Sequence, residues 1–337
     1  MKDLANVLTS DSFYFLWEQI VQDFEHLNVY RNVLAVVGAL YITNKTFQFL
    51  YSVAHGIATH GLSRYFPVRL TESGDWAVVT GPTEGIGRAF AIELAKRGMS
   101  VLLLGRNPDK LQELSDFIRR EYKQQTKILV IDFNDPGKAY EDINDAFEKL
   151  DIGVVVNNVG TINSFPSFLH EMDDDEIMSM LIVNIQSVTK MTKLAVTHMR
   201  KRKKGSIVNV SSIASVAPAP LLQVYAATKA YVTSFSQAVN AEVKPDGITV
   251  HTLIPSYVKT RMVGYSPYLS TSLLVPTPET YVKNALATLK YSTYSTGYWF
   301  HGIQAFFVSS LPVTWYMYMI QRANLIFRNE YLSLHNR

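Results

Sequence analysis

Tyr225 and Lys229 stand four residues apart in Tyr225-Ala226-Ala227-Thr228-Lys229. On a helix, positions i and i+4 share a face, so the ammonium would lie beside the phenol. A cation there favours phenolate and lowers the tyrosine pKa toward working pH. Such a phenol can give a proton to a carbonyl oxygen or take one from an alcohol. Solvated helices also produce this pair by chance, so its weight comes from its company. Ser212 lies thirteen residues upstream, after the apolar stretch Ile207-Val208-Asn209-Val210, where a hydroxyl could hydrogen-bond a substrate oxygen. Asn157-Asn158-Val159-Gly160 follows another apolar stretch as a loop. Asn184 sits in the apolar helical stretch Val183-Asn184-Ile185, where its amide needs a partner. It either holds a water in a proton chain to Lys229 or is a satisfied structural asparagine.

A second constellation is glycine-rich. Thr80-Gly81-Pro82-Thr83-Glu84-Gly85-Ile86-Gly87 spaces its glycines G-x-x-x-G-x-G between a short apolar strand and a helix. Gly81 permits a tight turn, Gly85 lets backbone approach a pyrophosphate, and Gly87 lets helix and sheet close together. The helix N-terminus would then face phosphate with its free N–H groups. An ordinary glycine-rich turn is the alternative, and the strand-to-helix placement favours a dinucleotide. At the end of the next strand, Leu104-Gly105-Arg106-Asn107 offers no acid for a ribose hydroxyl. Arg106, with Arg88 assisting, can instead pair with a 2′-phosphate, which favours NADP(H) over NAD(H). Asp132 could cap an adenine amine or be a plain loop residue.

These residues need a frame. The sequence predicts strands at 76–80, 100–104, 128–131, 153–156, 206–210 and 248–254, with helices over 88–98 and 110–122 among them. Strands alternating with helices imply an α/β fold, a doubly wound parallel sheet with both faces covered. The expected catalytic domain spans 76–260, after an apolar helical leader (1–75) and before an aromatic-rich C-terminal extension (261–337).

In order and spacing, Thr80-Gly81-x-x-x-Gly85-x-Gly87, Asn157-Asn158-x-Gly160, Asn184, Ser212 and Tyr225-x-x-x-Lys229 resemble the short-chain dehydrogenase/reductase superfamily. Within it, TGPTEGIGRAFAIELAKRGM and PLLQVYAATKAY are similar to the membrane-associated branch of 17-beta-hydroxysteroid dehydrogenases and very-long-chain 3-oxoacyl-CoA reductases. The leader DSFYFLWEQI and the tail TGYWFHGIQ resemble that branch's hydroxysteroid dehydrogenase-like proteins. The resemblance implies a catalytic set of Tyr225, Lys229, Ser212 and Asn184. It implies cofactor contacts from Gly81, Thr83, Glu84, Gly85, Ile86, Gly87, Arg106, Asp132, Asn158, Lys229 and Val258. Lys229 would also hold the ribose. Two departures stand out. The superfamily's usual Pro-Gly after the sixth strand, beside nicotinamide, is Pro255-Ser256 here, and Val159 replaces the usual alanine. Some hydroxysteroid dehydrogenase-like proteins are regarded as inactive because the tyrosine is lost, whereas Tyr225 is present.

The ends of the chain are apolar. Val33 to Ala58 carries one formal charge, Lys45, near its middle. It reads as a membrane helix, a pair of embedded segments, an interfacial helix, or a helix packed on the protein's own core. Residues 303–320 carry no charge, and Pro312 should break a helix there. That run is either a lid over the domain or a membrane contact. The tail from Ser333 to Arg337 lacks a dilysine pattern, leaving endoplasmic reticulum and mitochondrion both open. Residues 256–275, with Tyr257, Met262, Tyr265 and Tyr268, are the expected substrate loop.

Composition excludes other classes. The 337 residues contain no cysteine, which removes disulfides, thiolate metal sites and cysteine nucleophiles. Apolar residues make up 47% and the net charge is +3, so the chain is not disordered. The acidic run Asp173-Asp174-Asp175-Glu176 suits a helix N-terminus, and Arg200–Lys204 suits a helix end better than a phosphate or lipid site. No metal spacing and no nucleic-acid motif is present. The expectation is an NADP(H)-dependent enzyme interconverting a ketone and a secondary alcohol on a hydrophobic substrate: a steroid, a fatty acyl-CoA or a retinoid. It would sit on an intracellular membrane, with homodimerisation through the Asn184 and Tyr225 helices common in the superfamily. The alternative is a silent cofactor-binding scaffold of the same fold.

Overall fold

The computed structural model describes residues 10–26, 28–61, 70–261 and 275–335. The chain forms two units, residues 1–57 and 58–337. In the first, helix α1 (Ser10–His26) is followed by α2 (Asn28–His60), which continues into the second unit. The span Tyr30–His60 is long and apolar enough to cross a membrane. It is one unbroken helix, not a pair of short segments, because Thr43-Asn44-Lys45-Thr46 contains no helix breaker and its polar groups stay exposed. Leu40, Ile42 and Phe47 are exposed too.

In the second unit seven strands form one parallel sheet in the order β3-β2-β1-β4-β5-β6-β7. They are β1 (Trp76–Thr80), β2 (Ser100–Gly105), β3 (Thr126–Val130), β4 (Ile152–Asn157), β5 (Gly205–Val210), β6 (Ile248–Leu253) and β7 (Tyr294–Ser295). Each of the six expected strands is present within two residues. The central ones are buried on both faces, which explains their continuous runs of valine and leucine. Alternate residues feed two cores. Ala77, Val79, Leu103 and Val156 meet helices α3 (Gly85–Lys96) and α4 (Pro108–Tyr122) on one side. Val78, Leu102, Val155 and Ile207 meet α5 (Ala139–Lys149) and α7 (Ser187–Arg202) on the other.

The sheet does not stop at residue 260. Helix α9 (Pro278–Thr288) packs Tyr281, Val282, Ala285 and Leu286 into the first core, and β7 then adds a seventh strand beside β6. A strand of two residues carries no periodic signal. Beyond them, α10 (Trp299–Ser310) and α11 (Val313–His335) are separated at Pro312. Residues 303–320 are therefore two helices. Met262, Tyr265 and Tyr268 lie outside the described residues.

Between the two charge runs, α6 (Asp174–Leu181) opens on Asp173, whose side chain caps the helix, as a dipole role requires. α7 ends in the basic run. There Arg200 pairs with Asp246 at 2.8 Å and Arg202 with Asp151, so these cations anchor a helix end. The long helix α8 (Gln223–Val243) carries Tyr225 and Lys229.

Phe90 is the largest fully buried side chain of α3. Phe90→Ala should destabilise the folded chain by about 3–5 kcal/mol, read as a shift in the urea midpoint.

Candidate functional site

Strand order reverses between β1 and β4, and a crevice must open at their carboxyl ends. Thr80 and Asn158 stitch it. The Thr80 Oγ1 accepts from the backbone N–H groups of Asn158 and Val159, both at 3.0 Å. The Asn158 amide donates to the carbonyls of Thr80 at 3.1 Å and Gly81 at 3.2 Å. Asn158 therefore shapes the glycine loop from behind. Gly81 and Gly85 both adopt left-handed backbone, with φ +63° and +56°. A Cβ on Gly87 would lie 2.1 Å from the Gly81 carbonyl oxygen and 2.4 Å from the Asn158 amide nitrogen. The cradle demands glycine at each place the spacing suggested.

Glu84 occupies the N-cap position of α3 but makes no side-chain cap. Its carboxylate turns to Lys110 and, at 2.9 and 3.0 Å, to Arg261. The Lys110 hydrogen bond holds that carboxyl below its usual range against the opposing effect of burial, and Arg261 helps. The first amides of α3 thus remain free of side-chain caps beside a cavity of about 780 Å3. Thr83, Gly85, Arg88, Lys110 and Lys259 line it. Arg106 is exposed at the end of β2 and is not among its lining residues. Lys110 and Lys259 were not legible as site residues, because lone lysines in a helix and a loop carry no spacing signal. The Asp132 carboxylate accepts from the Asn134 N–H at 2.9 Å, so it serves its own loop. Val258 buries its side chain in the core, as does part of Ile86.

Toward β5 the tyrosine–lysine constellation closes. Lys229, 4% exposed, donates from Nζ to the Val210 carbonyl at 3.0 Å and lies 5.8 Å from the Tyr225 ring centre. Burial brings its pKa down to about 8. Tyr225 is also buried, and this raises its pKa; a hydrogen bond with Ser212 opposes the rise and Tyr257 adds to it. The sequence argument expected Lys229 to lower the phenol's pKa. In the folded chain, burial of the ring raises the phenol's pKa instead, and burial lowers that of Lys229.

Asn184 is fully buried in a π-helical turn, Ile182–Gln186, not in a regular helix. Such turns recur at functional sites. Its Oδ1 accepts from the Thr161 N–H at 2.8 Å, while its amide donates to the Thr161 carbonyl at 2.8 Å and to the Thr228 hydroxyl at 3.0 Å. These bonds tie the loop after β4 to α8 and carry the structural role. A Cβ on Gly160 would stand 3.3 Å from both the Asn184 oxygen and the Lys229 nitrogen, so glycine keeps the gap between them open. Asn157 turns away, toward Asn209 at 2.8 Å and Thr192 at 3.1 Å.

Helix α11 braces the loops that precede α6 and α8, which sequence reasoning did not foresee. Asn324 on α11 donates to the Pro220 carbonyl at 2.7 Å, just before α8. Arg328 reaches the Pro166 carbonyl at 3.2 Å and Glu171 at 2.8 Å, and Tyr331 stacks on Phe165. A polar or aromatic position in an amphipathic tail gives no sign of such a target. Ser256, the residue in place of glycine, is not in left-handed backbone. The turn therefore tolerates its Cβ.

A glycine cradle at a helix N-terminus, facing a buried Ser-Tyr-Lys-Asn set across one sheet edge, matches the short chain dehydrogenase family model over residues 75–267. The chain belongs to the short-chain dehydrogenases. It is 38% identical over 326 residues to "Inactive hydroxysteroid dehydrogenase-like protein 1" of Pongo abelii, covering 96% of this chain and 98% of that one. It is 41% identical over 262 residues to "Very-long-chain 3-oxoacyl-CoA reductase" of Anas platyrhynchos, covering 77% and 83%. A short-chain dehydrogenase from Sphingobium yanoikuyae, solved with NADPH, matches with TM-score 0.60 at 25% identity, over 65% of this chain and 86% of that one. The cradle fits a nicotinamide dinucleotide, since side chains at 81, 85 or 87 would fill or strain the space its phosphates need. Among the described residues no cluster of potential metal ligands occurs.

Lys229 makes stability pH-dependent. The unfolded amine keeps its proton to about pH 10.4, whereas the folded one releases it near 8. Between these values the unfolded chain binds more protons, so stability rises with pH. The opposite effect of Tyr225 begins only near the ordinary phenol pKa of about 10. Lys229→Met should flatten the rise in urea midpoint between about pH 8 and pH 10.

Proposed function

We propose that the chain is an NADP(H)-dependent oxidoreductase interconverting a ketone and a secondary alcohol on a bulky hydrophobic substrate. The observation that carries this reading is the intact Tyr225, Ser212, Lys229 and Asn184 set beside a cradle that excludes side chains. A nicotinamide cofactor, when bound, supplies or accepts hydride at the substrate carbon. Gly81, Gly85 and Gly87 would admit its phosphates, and Arg88 and Lys259, on a cavity that Glu113 and Glu279 also line, are the cations that could meet a 2′-phosphate. Arg106 at the end of β2 would add to them. Ser212 hydrogen-bonds the Tyr225 phenol and orients the substrate oxygen beside it. Tyr225 gives that oxygen a proton in reduction and takes it in oxidation. Its raised pKa keeps the phenol protonated at neutral pH, which suits reduction. Lys229, near its own midpoint at neutral to mildly basic pH, can resupply the proton through the gap that Gly160 leaves beside Asn184.

Very-long-chain 3-oxoacyl-CoA reductase relatives support a fatty acyl-CoA substrate, and the hydroxysteroid dehydrogenase-like name supports a steroid. A retinoid fits the same hydrophobic class. The apolar helix Tyr30–His60 and exposed Phe307, Trp315 and Tyr318 support attachment to an intracellular membrane, endoplasmic reticulum or mitochondrion. A homodimer through α7 and α8 remains part of the proposal. The second reading, a silent cofactor-binding scaffold, is favoured by relatives whose names call them inactive.

The two readings separate in one assay. Detergent-purified protein should oxidise NADPH with a 3-oxoacyl-CoA or an estrone-like ketone, and Tyr225→Phe should lower kcat by about 10²–10⁴-fold while NADPH still binds. Binding without turnover by the unaltered chain across steroid, acyl-CoA and retinoid ketones would select the scaffold.

A further inference from the structure

The segment leaving β6 links the two halves of the site. At its start, the Pro255 carbonyl accepts from the Ile213 N–H at 2.8 Å, next to Ser212. Tyr257 acts electrostatically on Tyr225. At its end, the Thr260 methyl is 3.0 Å from where a Cβ on Gly85 would stand, and Arg261 pairs with Glu84. Residues 255–261 thus run from the catalytic phenol to the glycine cradle. Their backbone must be held without the aid of a β-ladder, since β6 ends at Leu253.

One side chain from far along the chain holds the catalytic end. His301 on α10 is 1% exposed. Its Nδ1 accepts from the Ser256 N–H at 3.3 Å, and its Nε2 meets the Tyr257 carbonyl oxygen at 3.1 Å. These roles require the neutral ring with its proton on Nε2. Burial enforces that form, pushing the pKa down to about 4 with help from His60, against the carbonyls of Tyr257 and Thr296. Tyr298 packs edge-on with ring centres 5.2 Å apart, and Tyr281 lies at 5.7 Å, so the ring has little freedom.

We propose that His301 is a positioning residue for the nicotinamide end of the cofactor site, holding through its two ring nitrogens the Ser256 N–H and the Tyr257 carbonyl, the peptide groups on either side of the Ser256–Tyr257 bond. The inference rests on the cofactor reading above. One rigid imidazole bonded to both flanking peptide groups sets the backbone course through Ser256 and Tyr257, and with it the wall beside Tyr225. A residue lying 45 positions downstream, on the helix after β7, thereby does locally what turn chemistry would otherwise do.

The test compares two ligands on the full-length, detergent-purified protein by titration calorimetry. NADPH reaches both ends of the site, whereas 2′,5′-ADP reaches only the cradle. His301→Ala should weaken NADPH by about tenfold, the loss of two hydrogen bonds, and leave 2′,5′-ADP within about twofold. His301→Gln, whose amide can restore one of the bonds, should recover part of the loss, and it carries the test if the alanine variant does not fold. Equal weakening of both ligands, or unaltered NADPH binding in both variants, overturns the inference and leaves the cofactor reading standing. Failure of the unaltered chain to bind either ligand overturns both.

Discussion

Everything at this site hangs on the knot between the ends of β1 and β4. One threonine hydroxyl takes two backbone N–H groups, and one asparagine amide gives to two carbonyls. These are buried or half-buried bonds between elements almost eighty residues apart, and leaving any of them unmade would strand a desolvated polar group. The knot fixes the glycine loop against the neighbouring strand, which lets Gly87 sit against Gly81 and aims α3 outward. The same loop continues to Gly160 and Thr161, which meet Asn184 and, through it, Thr228 on the catalytic helix. The phosphate end and the proton-transfer end are thus two ends of one hydrogen-bonded assembly.

The frame was legible because it rests on local periodicity and on glycines. Strand residues buried on both faces leave unbroken apolar runs, and left-handed or crowded backbone leaves glycine no substitute, as at Gly85 and Gly87. Tyr225 and Lys229 were legible by helical spacing alone. What escaped depends on tertiary approach. Asn184 reads as helical, yet its turn is widened to a π-helix, a change of one backbone register that no side-chain pattern encodes. The pKa argument from Lys229 considered one pair and omitted burial, which dominates for both members. Ser256 looked like a defect in a turn because the sequence cannot report φ. Asn324 and Arg328 gave no sign of their targets, since the loops they brace are more than a hundred residues away.

The C-terminal helices have two dissimilar faces. Asn324, Arg328 and Tyr331 point polar and aromatic groups at the loops that precede α6 and α8. Trp315, Tyr318, Met319 and Ile326 leave the same helix exposed. The polar face contributes directional bonds to backbone carbonyls, which fix loop positions. The apolar face is exposed, with Arg322 over the Tyr318 ring at 5.3 Å, and its aromatic character is the kind found at a membrane–water boundary.

The two ends of the sheet also deserve comparison with what bare strands do. A long apolar border strand invites pairing with another molecule and seeds aggregation. Here β7 pairs only Tyr294 and Ser295 with β6, too short to serve as a template, and the opposite border, β3, carries Lys127. The modest β7 is therefore a guard on solubility as much as a seventh strand. A chain ending where the family match ends, at residue 267, would lose that guard together with α9. It would present β6, rich in Val250, Leu253 and threonine, as an open sticky rim.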